Sequence, residues 1–130
     1  MTIEERKDLS TTTQFKKVFK NSVNDHNTLF GGEAMKWMDE VAYITAIRFC
    51  NEKLVTISTG NIQFLHAIPI GSIIQIIGKV VKVGNVKIEI NVEIFKEDTS
   101  SAKLEKSVEG NFFFAAIDEN AHPKRLSISC

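Results

Sequence analysis

Residues 33–49 contain neither glycine nor proline and carry apolar side chains at 34, 35, 37, 38, 41, 42, 44, 46, 47 and 49. Alanine, methionine and glutamate favour helix, and these apolar positions cover most of the helical wheel. A helix that is apolar on most sides is buried on most sides. At 1.5 Å per residue it would be about 25–30 Å long. Whatever else the chain does, it has to surround this segment.

The rest of the sequence supplies the wrapping. Residues 14–23 mix apolar and basic side chains and read as a first strand, ending at the turn-rich stretch Asn24-Asp25-His26-Asn27. After the helix, residues 54–65 carry β-branched Val55, Ile57 and Thr59, and Pro69-Ile70-Gly71 reads as a turn. Residues 72–83 are rich in Ile and Val, with Gly78 marking a bulge. Gly84-Asn85 forms a tight turn. Residues 86–95 alternate Val86, Ile88, Ile90, Val92 and Ile94 with polar partners, as a half-buried antiparallel strand does. A polar loop at 96–103 precedes a last strand at 105–117. The expected order is strand, one long helix, then four strands in a meander. That is an α+β design in which one helix covers one face of an antiparallel sheet. Residues 1–13, with the run Ser10-Thr11-Thr12-Thr13, read as a flexible tail. Residues 14–130 then form one domain, with no internal repeat and no linker.

Basic and acidic residues number 16 each in the 130-residue chain, so no nucleic-acid or membrane-surface partner is expected. No apolar run reaches the roughly 18 residues of a membrane span, and the charged start Glu4-Glu5-Arg6-Lys7 is not a signal core. Cys50 and Cys130 make no CxxC motif and imply no disulfide. A cytoplasmic home fits this usage. His26, His66 and His122 lie far apart, and no metal-ligand spacing occurs, so neither a metal nor a cofactor is expected. His66, near the end of an apolar strand, reads as structural. No GxSxG elbow, Walker loop or G-x-G-x-x-G is present.

Three places remain where chemistry could sit. Gly31-Gly32 leads into the helix, where backbone can approach a ligand closely and unpaired N–H groups carry partial positive charge. Such amides could hold a developing oxyanion; taken alone, the dipeptide reads better as a flexible helix entry. Asp39 lies on a face shared with Met35 and Ala42, where a carboxylate needs a partner or a job. Its rival Glu40 sits four residues after Lys36 and can form an ordinary surface pair. Asn24, in the loop before the helix, offers an amide to polarise a carbonyl or orient a water, unless it serves the turn alone. Asp39 is eight residues past Gly31, roughly 12 Å along a helix. It cannot reach a carbonyl held at its own helix start. A two-fold pair of chains could bring one chain's Asp39 to the other's Gly31-Gly32.

The ordered set Asn24, Phe30-Gly31-Gly32, Met35-Lys36-Trp37-Met38-Asp39-Glu40-Val41-Ala42, Val55-Thr56, Asn61-Ile62-Gln63-Phe64, Pro69-Ile70-Gly71, Gly78, Val83-Gly84 and Phe114-Ala115-Ala116-Ile117-Asp118 resembles the acyl-CoA thioesterases with a hot-dog domain. That group includes the bacterial YciA-type and mammalian brain-type acyl-CoA hydrolases. The resemblance spans roughly residues 15–126. It implies a hot-dog fold, with the sheet wrapped round the central helix. It also implies a homodimer at least, often a trimer of dimers, and hydrolysis of acyl-CoA to free acid and CoA. By the same resemblance Asp39 falls on the catalytic acid, acting as general base or nucleophile. Gly31-Gly32 falls on the helix start that holds the thioester oxygen, Asn24 on the loop lining that site, and Thr56 on a strand threonine near the reacting centre. Gly84, Asn85 and Lys87 fall near the CoA moiety, and Arg125 suits a phosphate by charge. Relatives often carry Gly in place of Asn27, and Arg-Ser-Ser in place of Asn85-Val86-Lys87. Two other functions suit the same fold. One is an acyl-thioester hydratase or dehydratase with His26 as base, although the His-Phe-Pro-Gly signature of that branch is missing. The other is a non-catalytic acyl-CoA binding protein.

Overall fold

The alternating Ile and Val positions after residue 72 all land on one side of one sheet. Ile74, Ile76, Ile88, Ile90, Val92, Ile94, Val108, Phe112 and Phe114 are each at most 2% exposed and pack against the long helix. Burying such side chains contributes about 1.5–3 kcal/mol apiece, which fixes the strand register, because a one-residue slip would turn them all to water.

The computed structural model describes residues 1–127. Its elements in chain order are α1 (Ile3–Ser10), β1 (Thr12–Lys17), a 3-10 turn (Lys20–Ser22), α2 (Gly31–Phe49), β2 (Leu54–Phe64), β3 (Ile73–Val83), β4 (Lys87–Asp98) and β5 (Lys103–Ala116). All pairings are antiparallel, in the order β1-β3-β4-β5-β2. The sheet wraps α2, whose Ala34, Trp37, Met38, Val41, Ala42, Thr45, Ala46 and Phe49 are buried. This is the expected α+β hot-dog architecture.

Several expectations differ from the structure. The first strand runs Thr12–Lys17 rather than over 14–23, and Lys20–Ser22 forms a 3-10 turn instead. The strands after the helix are not a simple meander: β3, β4 and β5 are, but β2 crosses to the far edge and pairs with β5. Residues 1–13 hold α1 and the first two residues of β1. In α1, Glu5 N donates to Thr2 Oγ1 and Thr2 N donates to Glu5 Oε1, both at 3.1 Å, a reciprocal cap that steadies a short helix. Arg48 then ties its end to α2 by donating to the carbonyls of Leu9 (2.8 Å) and Thr11 (2.9 Å). Gly78 is not at a bulge; it pairs regularly with Thr12 and Val92, and the irregularity lies between Val80 and Lys82. A Cβ on Gly78 would lie 2.5 Å from Thr45 Oγ1 and 3.0 Å from Val41 Cγ1. The glycine is therefore where α2 comes closest to the sheet. Finally, Cys50 is not a free cysteine, although no disulfide was implied; Cys130 lies outside the described residues. No helix among the described residues is long and apolar enough to cross a membrane.

Candidate functional site

The sheet does not close completely round α2. Between its two edge strands, β1 and β2, one face of the helix stays open. Gly32, Lys36, Glu40, Tyr43 and Ile44 are exposed there, and Asp39 is half-buried. A cavity of about 610 Å³ occupies this opening, lined by Gln14 and Lys16 from β1, by Asp39, Glu40, Tyr43 and Ile44 from α2, and by Thr56 from β2.

Asp39 reaches this opening because the apolar positions around it turn α2's other faces into the core. Thr56 reaches it from the opposite side. Its register partner on β5 is the fully buried Phe114, so the Thr56 side chain points to the helix face of the sheet. Thr56 Oγ1 donates to Asp39 Oδ1 at 2.9 Å. The bond engages Oδ1 and fixes the carboxylate's orientation. Glu40 is exposed and makes no ion pair with Lys36 among the described residues. Instead a different cation stands on the cavity wall, Lys16, whose Nζ lies 5.0 Å over the Trp37 ring. The tilted contact of Tyr43 with Phe114, 6.2 Å between ring centres, gives the cavity an apolar side.

Gly31-Gly32 forms the first residues of α2, two residues earlier than the sequence placed the helix. Its N-cap, Phe30, has no side chain that can bond the first amides, and backbone pairing begins with Ala34 N donating to Phe30 O at 3.0 Å. The amides of the first turn thus have no cap. Gly31 lies under the Phe64 ring, where a Cβ would stand 3.3 Å from Cζ; Gly32 has open space around it.

Asn24 does not join Asp39. Its Oδ1 accepts from the amides of His26 (2.9 Å) and Thr28 (3.1 Å), and its Nδ2 donates to Thr28 Oγ1 (3.0 Å), so the side chain ties its own loop. That loop is anchored beside the helix start: Phe30 N donates to Ser22 O (3.0 Å) and Leu29 N to Ile68 O (2.8 Å). Asn27 takes φ 60, a left-handed conformation that glycine and asparagine both adopt, so the loop keeps its path without glycine there. His26 is exposed on the same loop, and His66 is exposed rather than packed in the core.

The residues assigned to CoA do gather. Gly84 N donates to Lys87 O and Leu126 N donates to Asn85 O, both at 2.8 Å. The second bond lays the backbone beside Arg125 against the β3–β4 turn. Gly84, Asn85, Lys87 and Arg125 are all exposed. Gly84 and Lys87 share a cavity of about 210 Å³ with Lys82, Glu89 and Phe113. Within one chain, then, there are three separate patches: Asp39–Thr56, the helix start with the Asn24 loop, and this basic turn. Gln14 and Lys16 were not anticipated, since polar residues on an edge strand look like solvent-facing ones until the wrap brings them over the helix.

Comparison with known proteins gives a consistent picture. The family model of the Thioesterase superfamily matches residues 26–103. An uncharacterized acyl-CoA thioester hydrolase of Bacillus subtilis is 34% identical over 107 residues, covering 82% of this chain and 62% of the relative. An acyl-CoA hydrolase from Staphylococcus aureus, solved in complex with butyryl coenzyme A, coenzyme A and coenzyme A disulfide, superposes with a TM-score of 0.88 at 32% identity, covering 92% of this chain and 73% of that one. Other structures of that enzyme carry alanine in place of a threonine, an aspartate or an asparagine. A hexameric acyl-CoA thioesterase in its apo form superposes with a TM-score of 0.86 at 26% identity, covering 92% of this chain and 77% of that one. The chain spans about three fifths of the length of the first curated relatives it matches.

Proposed function

From the premise that this chain belongs to the Thioesterase superfamily, we propose that it hydrolyses acyl-CoA thioesters to free acid and CoA, with Asp39 as general base. The observation that carries the reading is the Thr56–Asp39 hydrogen bond on the wall of a cavity partly lined by apolar groups. With Oδ1 held by Thr56, Oδ2 is left to take a proton from water as the water attacks the thioester carbon. The uncapped amides at Gly31-Gly32 suit the oxyanion that forms. Asn24, whose amide has a second N–H beyond the one given to Thr28, supports the loop beside that helix start and can add a donor. The aspartate, threonine and asparagine replaced in the S. aureus acyl-CoA hydrolase are the same residue types as Asp39, Thr56 and Asn24.

The site is shared between two chains in this proposal. Asp39 and Gly31 stand about 12 Å apart on one helix, so the amides that serve one Asp39 come from a partner. β2 favours pairing: it is an edge strand, and Val55, Ile57 and Phe64 on it are exposed. A hexameric neighbour supports a trimer of dimers. The Gly84–Lys87 turn with Arg125 takes the CoA phosphates, Lys87 and Arg125 supplying the positive charge.

A thiol-release assay across acyl-CoA chain lengths tests the proposal. General-base assistance is worth about 10²–10⁴ in rate. Asp39→Asn should therefore lower turnover at least about a hundredfold while its circular dichroism spectrum stays native. Near-normal release of CoA thiol by that variant would overturn the assignment.

A further inference from the structure

The inner side of β1 is polar where the other strands are apolar. Thr12, Gln14 and Lys16 pair with Gly78, Ile76 and Ile74, so their side chains all face α2. Two of the three have a partner on that helix. Arg48 Nη1 donates to Thr12 Oγ1 at 3.0 Å, and Lys16 sits over Trp37. Gln14, between them, has none: its Oε1 is buried and unbonded among the described residues. A buried acceptor left unpaired costs about 1–3 kcal/mol, and such a group in a native protein calls for an explanation.

Gln14 lines the same cavity as Asp39 and Thr56. The groups facing that space are mostly acceptors or already engaged. Asp39 and Glu40 carboxylates accept, the Thr56 hydroxyl proton is given to Asp39, and Lys16 lies on Trp37. Tyr43 and Lys16 also bring donors to this wall, but neither bonds Gln14 Oε1 among the described residues, which leaves that acceptor to a donor from outside the chain. A water has two protons and can bridge two acceptors at once. Bound between Asp39 Oδ2 and Gln14 Oε1, it would give a proton to each and turn its lone pair toward the thioester. The amide reaches it by rotation about χ3, a soft torsion, and its unpaired oxygen gains a bond by doing so.

We propose that Gln14 is the positioning residue for the hydrolytic water, holding one of its protons while Asp39 removes the other. The inference rests on the thioesterase reading of the site. In the step, the water oxygen bonds to the thioester carbon and one water proton passes to Asp39. The other proton remains on the new hydroxyl, against Gln14 Oε1. The C–S bond then breaks, and the CoA thiolate leaves with the proton from Asp39.

The test is thiol release by wild type, Gln14→Met, Gln14→Glu, Asp39→Asn and the Gln14→Met/Asp39→Asn pair. Gln14→Met keeps the length and removes the acceptor. Its kcat should fall about 10- to 100-fold, the worth of one buried hydrogen bond. KM should stay within about threefold, and the melting temperature should be equal or higher because an unpaired buried acceptor is gone. Gln14→Glu, which can still accept, should keep a kcat nearer wild type than Gln14→Met does. The double variant should be no slower than Asp39→Asn alone, since groups acting on one water are not additive. Unchanged kcat in Gln14→Met, or a loss confined to KM, would overturn the role while wild-type activity leaves the thioesterase reading standing. A wild type that releases no thiol from any acyl-CoA would overturn both.

Discussion

Asp39 owes its place to its neighbours and its orientation to Thr56. The first half is visible in sequence, since apolar residues around position 39 turn the adjoining faces of α2 inward and leave a carboxylate beside them. The second half is not visible in pattern or spacing; only the family resemblance put Thr56 near the reacting centre. Thr56 is 17 positions away in sequence, on the far edge strand, and only the crossover of β2 to β5 turns its hydroxyl toward the helix. Gln14 was hidden altogether, as a polar residue in a polar strand. Asn24 lies in the turn-rich loop before the helix, where its side chain already bonds the backbone of His26 and Thr28 and the Thr28 hydroxyl. The Thr56 contact has a measurable consequence. A hydrogen bond to a charged group is worth about 1.5–3 kcal/mol when shielded and less when, as here, water reaches it. Thr56→Ala should lower kcat for thiol release about tenfold by freeing the carboxylate to rotate. Thr56→Ser, which keeps the hydroxyl, should recover most of it. Equal rates in the alanine and serine variants would show that the hydroxyl does not act on Asp39.

At the level of elements, periodicity located α2 and all the strands after it to within a few residues, because helix and strand periods are set by burial and burial is strong here. It did not locate partners. A strand's neighbour depends on chain reversal over the whole domain, so the edge position of β2 could not be read from β2 itself. α1 was missed for another reason: Thr2 and Glu5 stand three apart, a capping-box spacing, in a stretch whose polarity suggested a tail. Gly78 carries the most instructive difference. It was read as a backbone irregularity, whereas its role is to let the helix approach. Thr45, one of the side chains above it, is fully buried and locked by donating its hydroxyl proton to Val41 O at 2.8 Å, so it has little room to yield. Gly78→Ala should therefore destabilise the domain by about 1–3 kcal/mol, as overpacking does. Thermal denaturation would show this as a melting temperature lower by several degrees. An unchanged midpoint would mean that the helix-to-sheet spacing is set elsewhere.

On the scale of the whole molecule, the wrap leaves one helix face and one long edge strand open on the same side, and both halves of the proposed chemistry lie on that helix, too far apart to meet. The open face is capped at one end by Gly32, which has nothing within 4 Å of where its Cβ would be. A Cβ added there would meet no atom of its own chain beyond the helix backbone itself, so an effect on turnover with the fold intact points to a ligand or a partner. This makes subunit complementation a direct measure of a shared site. Asp39→Asn lacks the base, and Gly32→Val crowds the amides that would hold the oxyanion. Each alone should release thiol at least about a hundredfold more slowly than wild type. Coexpressed chains that pair at random make half of all dimers mixed. Each mixed dimer has one site with an intact Asp39 facing an intact Gly31-Gly32, and one site with neither. Activity should then return to about a quarter of wild type, far above the mean of the two variants. A site completed within one chain predicts no recovery at all, because every chain in the mixture carries one defect. The ratio of mixed to unmixed activity thus reports which chain supplies the amides to Asp39.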